Sequence, residues 1–221
     1  MSSDGPLLVI VSSPSGAGKT TLASRLLAQV KGLTFSVSHT TRKPRNNERN
    51  GEQYHFVGRG EFEGLIRNNA FLEWAVVHDN LYGTSRSEIE RAQGARGILF
   101  DIDHQGARQI KSVRPDAVAI FILPPSMDAL LQRLRGRASE DAETVTRRYG
   151  VATSEIAHYG LFDYLLVNDD LELATNQLVS IVLAEECRRG RVARRAEALL
   201  AETRGFGGTI PPAAPAQLDR K

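Results

Sequence analysis

Branched apolar residues recur along the chain in short dense runs, at Leu7–Val11, Ile98–Ile102, Ala117–Leu123 and Tyr164–Val167. The first, closed by turn-forming residues, predicts a buried strand, and the other three are candidate strands of the same parallel sheet. Between them the spacing becomes helical. Leu22, Leu26 and Leu27 mark a helix over Thr20–Val30, and further helices are predicted over Gln105–Val113, over Met127–Leu134 behind Ser126 as N-cap, and over Leu171–Glu186 behind Asp170. Strands alternating with helices predict an α/β core whose mostly parallel sheet is flanked by helices.

Two segments leave that rhythm. Residues 36–90 alternate apolar and polar positions between turn residues, as in FLEWAVVHDNLYGTS, and predict an inserted lobe of short, mostly antiparallel strands. Residues 131–160 are charged and helical without a strong apolar stripe, the pattern of a lid over a site. The core is then 7–35, 91–130 and 161–205 within one domain of residues 1–205. The Gly-, Pro- and Ala-rich end, 206–221, predicts a disordered tail.

Composition narrows the function. A chain of 221 residues with a formal net charge of +2 has no global field that favours nucleic acid. The single cysteine, Cys187, excludes an internal disulfide, and the five histidines show no zinc-site spacing. No signal peptide or membrane span is expected, which predicts a soluble, cytoplasmic protein.

Chemistry enters behind the first strand. Ser13-Pro14-Ser15-Gly16-Ala17-Gly18-Lys19-Thr20, with Thr21 after it, matches the phosphate-loop pattern except that Ser13 replaces its first glycine. In such a loop main-chain N–H groups surround phosphate oxygens, the lysine reaches the outer phosphates and the hydroxyl of Thr20 can hold Mg²⁺. A plain strand–helix turn with a surface lysine is the alternative. Arg42 and Arg45, three apart around Pro44, suit a clamp on a mononucleotide phosphate or a solvated basic loop. Tyr54 and Tyr82 offer neutral donors. Glu73, beside Trp74 on an alternating segment, reads by itself as part of a polar strand face. Asp101 and Asp103 stand at the carboxyl end of a strand, either to organise Mg²⁺ or merely to cap the strand end.

SVSHTTRKPRNNERNGEQYHF, FLEW, YGTS, ILFDIDHQGARQI and YLLVNDD come after the loop in that order. Together they resemble the guanylate kinases over about residues 7–189. The resemblance implies a P-loop core, a GMP-binding lobe at 36–90, a lid at 131–160 and transfer of the γ-phosphoryl of ATP to GMP, and also to dGMP. It implies that Arg42, Arg45, Tyr54 and Tyr82 hold the GMP phosphate, that Ser38, Glu73 and Thr84 read the base, and that Asp103 lies close to GMP. Lys19, Arg42, Arg137 and Arg148 are the implied catalytic residues, Arg133 and Asn168 join residues 13–21 at ATP, and Thr20 and Asp101 hold Mg²⁺, partly through water. The implied partners are ATP and GMP, with no nucleic acid and no membrane, in a monomer or homo-oligomer.

Several positions depart from that pattern or fall outside it. His39 either titrates near the base pocket or faces solvent, with solvent expected, and Asp79 is expected in a turn. Arg135 and Arg147 match no family position and read as solvated helix faces, as does CRRGRVARR at 187–195. Two other functions compete: a non-enzymatic interaction module, and a kinase for another phosphorylated acceptor. Lys19, Thr20, Arg42 and Arg45 argue against the first, and Ser38 with Glu73 against the second.

Overall fold

In this computed structural model residues 5–45, 47–77, 79–136 and 142–205 are described. The chain opens with β1 (Leu7–Ser12), α1 (Lys19–Gln29) and β2 (Leu33–Phe35). Then come β3 (His39–Thr40), β4 (His55–Phe56), α2 (Arg59–Arg67), β5 (Phe71–Val77), β6 (Asn80–Ser85) and α3 (Ser87–Arg91). The chain continues through β7 (Gly97–Asp101), α4 (His104–Val113), β8 (Val118–Leu123), α5 (Met127–Arg135) and α6 (Ala142–Ile156). It ends with β9 (Tyr164–Val167), α7 (Leu171–Glu186) and α8 (Arg189–Gly205).

Five strands form a wholly parallel sheet in the order β2-β7-β1-β8-β9. All six residues of β1 are buried, because neighbours pair with both its edges and helices cover both its faces. That is why LLVIV is a continuous run rather than an alternating one. Its pleat still sorts the side chains. Leu7, Val9 and Val11 pack with Leu22, Leu26, Leu178 and Val182 of α1 and α7, whereas Leu8 and Ile10 pack with Phe100, Ala107 and Ile110 toward α4.

The inserted strands make a separate mixed sheet, β4-β3-β6-β5, in which only β3 and β4 run parallel. It has its own small core of Phe62, Phe71 and Leu81, with the Phe62 and Phe71 rings stacked 4.5 Å apart. Strand β2 and helices α2 and α3 were not anticipated. Phe62, Leu65 and Ile66 carry helical spacing, but Gly58, Gly60 and Gly64 around them obscure it. The charged segment also differs from expectation. Val145, Tyr149 and Ala152 form a short apolar stripe on α6 that packs on Leu130 and Leu134 of α5.

Ser126 and Asp170 cap α5 and α7, accepting from the N–H groups of Ala129 at 3.0 Å and Leu173 at 2.7 Å. Asp79 lies in the β5–β6 turn with φ 63°. The chain divides into two compact units, one spanning Gly5–Glu185 and the other containing α8. Among the described residues no helix is long and apolar enough to cross a membrane. Residues 206–221 lie outside the described residues.

Gly97 marks how tightly the sheet is built. A Cβ there would stand 2.7 Å from the Leu7 carbonyl oxygen and 3.0 Å from Leu33. Gly97→Ala is therefore expected to lower unfolding free energy by about 1–3 kcal/mol, read from the urea midpoint; an unchanged midpoint would show that the strands can part without cost.

Candidate active site

The loop after β1 is shaped by two left-handed glycines, Gly16 at φ 93° and Gly18 at φ 96°. A Cβ on Gly18 would come within 2.3 Å of the Asn168 amide nitrogen, so glycine is required there twice over. Ser13 is not among the positive-φ residues, which is why serine is tolerated at that position; its hydroxyl donates to the Pro14 carbonyl at 3.0 Å. Gly18 supplies no side-chain cap to α1, leaving the first N–H groups of the helix directed at the loop. Lys19 opens that helix and pairs with Asp101 at the end of β7. Thr20 and Thr21 are exposed beside it.

Groups from distant parts of the chain prop and cover this loop. The buried Asn168 donates its amide to the Ala17 carbonyl at 2.7 Å, and Arg133 donates to the Asn168 carbonyl at 3.0 Å. From α6, Arg148 donates to the Ser15 hydroxyl at 2.6 Å, while Glu155 accepts from the Ser15 N–H at 3.3 Å. Burial pushes the Glu155 carboxyl up, although that N–H and Lys19 pull it back. Arg135 and Arg147 are exposed, as expected, and Arg137 lies outside the described residues.

A cleft of about 240 Å³ runs from Lys19 into the inserted lobe and is lined by Ser38, Tyr54, Glu73, Tyr82, Asp101 and Asp103. Glu73 sits on β5 and is only 5% exposed. Thr84 on the paired strand β6 donates to its Oε1 at 2.5 Å, and the Ser38 hydroxyl lies 3.0 Å from that of Thr84. The other carboxylate oxygen, Oε2, lies 2.7 Å from where a Cβ on Gly106 would stand. Glycine at 106 is thus what gives the carboxylate room. Burial pushes the Glu73 carboxyl up to about 7, with Thr84 lowering it and Asp103 raising it further.

The guanylate kinase family profile matches residues 6–185. A guanylate kinase of Methylococcus capsulatus is 48% identical over 200 residues, covering 90% of this chain and 98% of that protein. One of Neisseria gonorrhoeae is 50% identical over 185 residues, covering 83% and 90%. The crystal structure of guanylate kinase from Anaplasma phagocytophilum superimposes with TM-score 0.73 at 31% identity, covering 93% of this chain and 97% of that one. The chain belongs to the guanylate kinase family.

Against the guanylate kinase pattern, the arginine pair is arranged differently from a simple open clamp. Arg45 is exposed, and its main-chain N–H donates to Glu48 at 2.7 Å. Arg42 is held by Glu48 through two bonds of 2.9 and 3.0 Å, by the Lys43 carbonyl at 2.8 Å and by the Tyr82 hydroxyl at 3.2 Å. Of the five N–H groups of a guanidinium, these bonds leave one on Nη2. Its hydrogen bond to Arg42 holds the Glu48 carboxyl below its usual range. The Tyr54 ring lies 5.4 Å beneath the Arg42 guanidinium, and burial, then Asp101, raises the Tyr54 hydroxyl.

Other expectations resolve locally. Asp103 is the N-cap of α4, accepting from Gly106 N–H at 2.9 Å and Gln105 at 3.0 Å, while still bordering the cleft. His39 does not face solvent as expected. It is half-buried with its ring 4.6 Å from His55 and 5.6 Å from Phe71, and burial followed by His55 lowers its pKa. Sequence reasoning missed Glu48 and Glu155. Glu48 follows the arginine pair by three residues and Glu155 lies seven beyond Arg148, but nothing in a charged stretch singles out the one carboxylate that folds inward.

The raised pKa of Glu73 has a consequence for stability. Between the unfolded value of about 4.5 and the folded value of about 7 the native state binds the extra proton, so this group's stabilisation is complete below pH 4.5 and is lost as pH rises through 7. Denaturation of wild type and Glu73→Gln across pH 4.5–8 is expected to show wild type losing stability relative to the variant as pH rises. A constant difference would mean that Glu73 has an ordinary pKa.

Proposed function

We infer that this chain is a guanylate kinase, transferring the γ-phosphoryl group of ATP to GMP with release of ADP and GDP. The observation that carries this reading is that the phosphate-loop lysine and a buried carboxylate with hydroxyl partners line one cleft. Guanine presents N1–H and the 2-amino group side by side, and a carboxylate accepts both. We assign this pairing to Glu73, with Ser38 and Thr84 supporting the O6 side. Adenine places an acceptor toward the carboxylate, leaving buried groups unpaired at about 1–3 kcal/mol each.

The GMP phosphate is assigned to Arg42, Arg45, Tyr54 and Tyr82, with Asp103 beside the nucleotide. Because Glu48, Lys43 and Tyr82 together occupy all but one of the Arg42 N–H groups, Arg42 contributes a charge fixed in direction and one N–H, and the tyrosine hydroxyls and Arg45 complete the grip. ATP is assigned to residues 13–21, with Arg133 and Asn168 acting by holding the loop. A phosphate oxygen of GMP forms a bond to the γ-phosphorus in line as the bond to the β-bridging oxygen breaks, and ADP departs with that oxygen. Lys19 is assigned to the charge that develops on the transferred group, with Arg137 and Arg148 brought over it from the lid.

Thr20 and Asp101 border a common cavity and offer the hard oxygen donors that a magnesium ion takes. They fit Mg²⁺, which when bound would neutralise charge across the β- and γ-phosphates. In the same reading residues 36–90 form the GMP lobe, residues 131–160 the lid, and the enzyme works in the cytoplasm.

Two measurements test this. In an ADP-release assay with GMP, dGMP, AMP, CMP and UMP, turnover is expected with GMP and dGMP and near silence with AMP; no turnover with any acceptor would leave a binding module. Lys19→Ala is expected to lower kcat by about 100-fold or more, and a raised KM with unchanged kcat would remove Lys19 from the chemistry.

A further inference from the structure

One edge of the inserted sheet is closed by a side chain from the core. Strand β5 pairs with β6 on one side and is last in its sheet on the other, so the peptide groups on its outer side need partners from elsewhere. At Trp74 they find one residue. The Trp74 N–H donates to the Gln109 Oε1 at 3.1 Å, and the Gln109 Nε2 donates to the Trp74 carbonyl at 2.7 Å. A carboxamide carries one acceptor and two donors in a plane, and here it makes the pair of bonds that a neighbouring strand would make.

Trp74 is the residue after Glu73. Gly106 and Gln109 lie three apart on α4 and therefore share a face. The first leaves the space that the Glu73 carboxylate enters, and the second grips the next peptide. With Thr84 fixing Oε1 from the opposite side, the carboxylate is set in direction as well as in position.

We propose that Gln109 is a positioning residue for the acceptor base: by binding the Trp74 peptide it aligns the Glu73 carboxylate so that both of its oxygens meet the guanine edge. This rests on the assignment of Glu73 to that edge. Alignment matters most for the bond to the 2-amino group, because a carboxylate that swings can still accept from N1–H alone. Inosine monophosphate, which has N1–H and no 2-amino group, therefore separates alignment from mere presence.

The test compares kcat/KM for GMP and inosine monophosphate in wild type, Gln109→Met, Gln109→Glu, Glu73→Gln and the double variant Gln109→Met/Glu73→Gln. Methionine keeps the volume and removes both hydrogen bonds; glutamate keeps the acceptor and loses the donor. Gln109→Met is expected to raise KM for GMP about tenfold, to leave KM for ATP unchanged and to reduce the preference for GMP over inosine monophosphate. Gln109→Glu is expected to fall between. In the Glu73→Gln background Gln109→Met is expected to change that preference no further.

If Glu73→Gln leaves the preference intact, the base-reading assignment itself fails. If Glu73→Gln abolishes it while Gln109→Met lowers only the thermal midpoint, or affects GMP and ATP alike, Gln109 is structural and the proposal is overturned.

Discussion

Everything in the cleft is organised around a carboxylate kept out of water. Taking Glu73 into a buried setting is unfavourable for its charged form, and the surroundings relieve this only in part. A hydroxyl reaches one oxygen, a glycine clears space for the other, and an N-cap aspartate stands near enough to oppose ionisation. In the proposed assignment the donors that complete the shell are those of guanine, so that recognition and relief of desolvation become the same event.

The same logic extends to the cations. Lys19 faces Asp101 and Arg42 faces Glu48, and beside them the neutral Ser15 N–H donates to Glu155. Two of the cations assigned to phosphate, Lys19 and Arg42, are thus met by carboxylates of the protein, whereas Arg148 rests on the Ser15 hydroxyl. Such pairing fixes long side chains in useful directions and limits mutual repulsion among clustered cations. In the proposed assignment a phosphate at Lys19 or Arg42 would compete with these carboxylates.

Much of this is legible in the sequence, and for identifiable reasons. Strands buried on both faces write themselves as unbroken apolar runs, and the loop at 13–20 has little freedom in composition because its backbone must turn left-handed twice. The order of motifs locates Glu73, Ser38 and Thr84, which the fold brings within hydrogen-bonding reach. Hidden from such a reading are contacts made across the fold by residues without a distinctive setting. Glu48, Glu155 and Gln109 look like ordinary polar surface positions; the fold of its own loop gives Glu48 its partners, and the packing of α6 on the phosphate loop and of α4 on β5 gives Glu155 and Gln109 theirs. His39 departs from its expected exposure for the same cause: burial by His55 and Phe71 depends on how the small sheet folds over itself.

The bond from Asn168 to the Ala17 carbonyl spans 151 positions of sequence. A loop whose main chain is anchored by so late a residue cannot reach its final form from local interactions alone. During synthesis, the strand and helix that flank the loop emerge long before the amide that locks it. The late anchor thus ties completion of the loop to completion of the parallel sheet, whose last strand, β9, directly precedes Asn168.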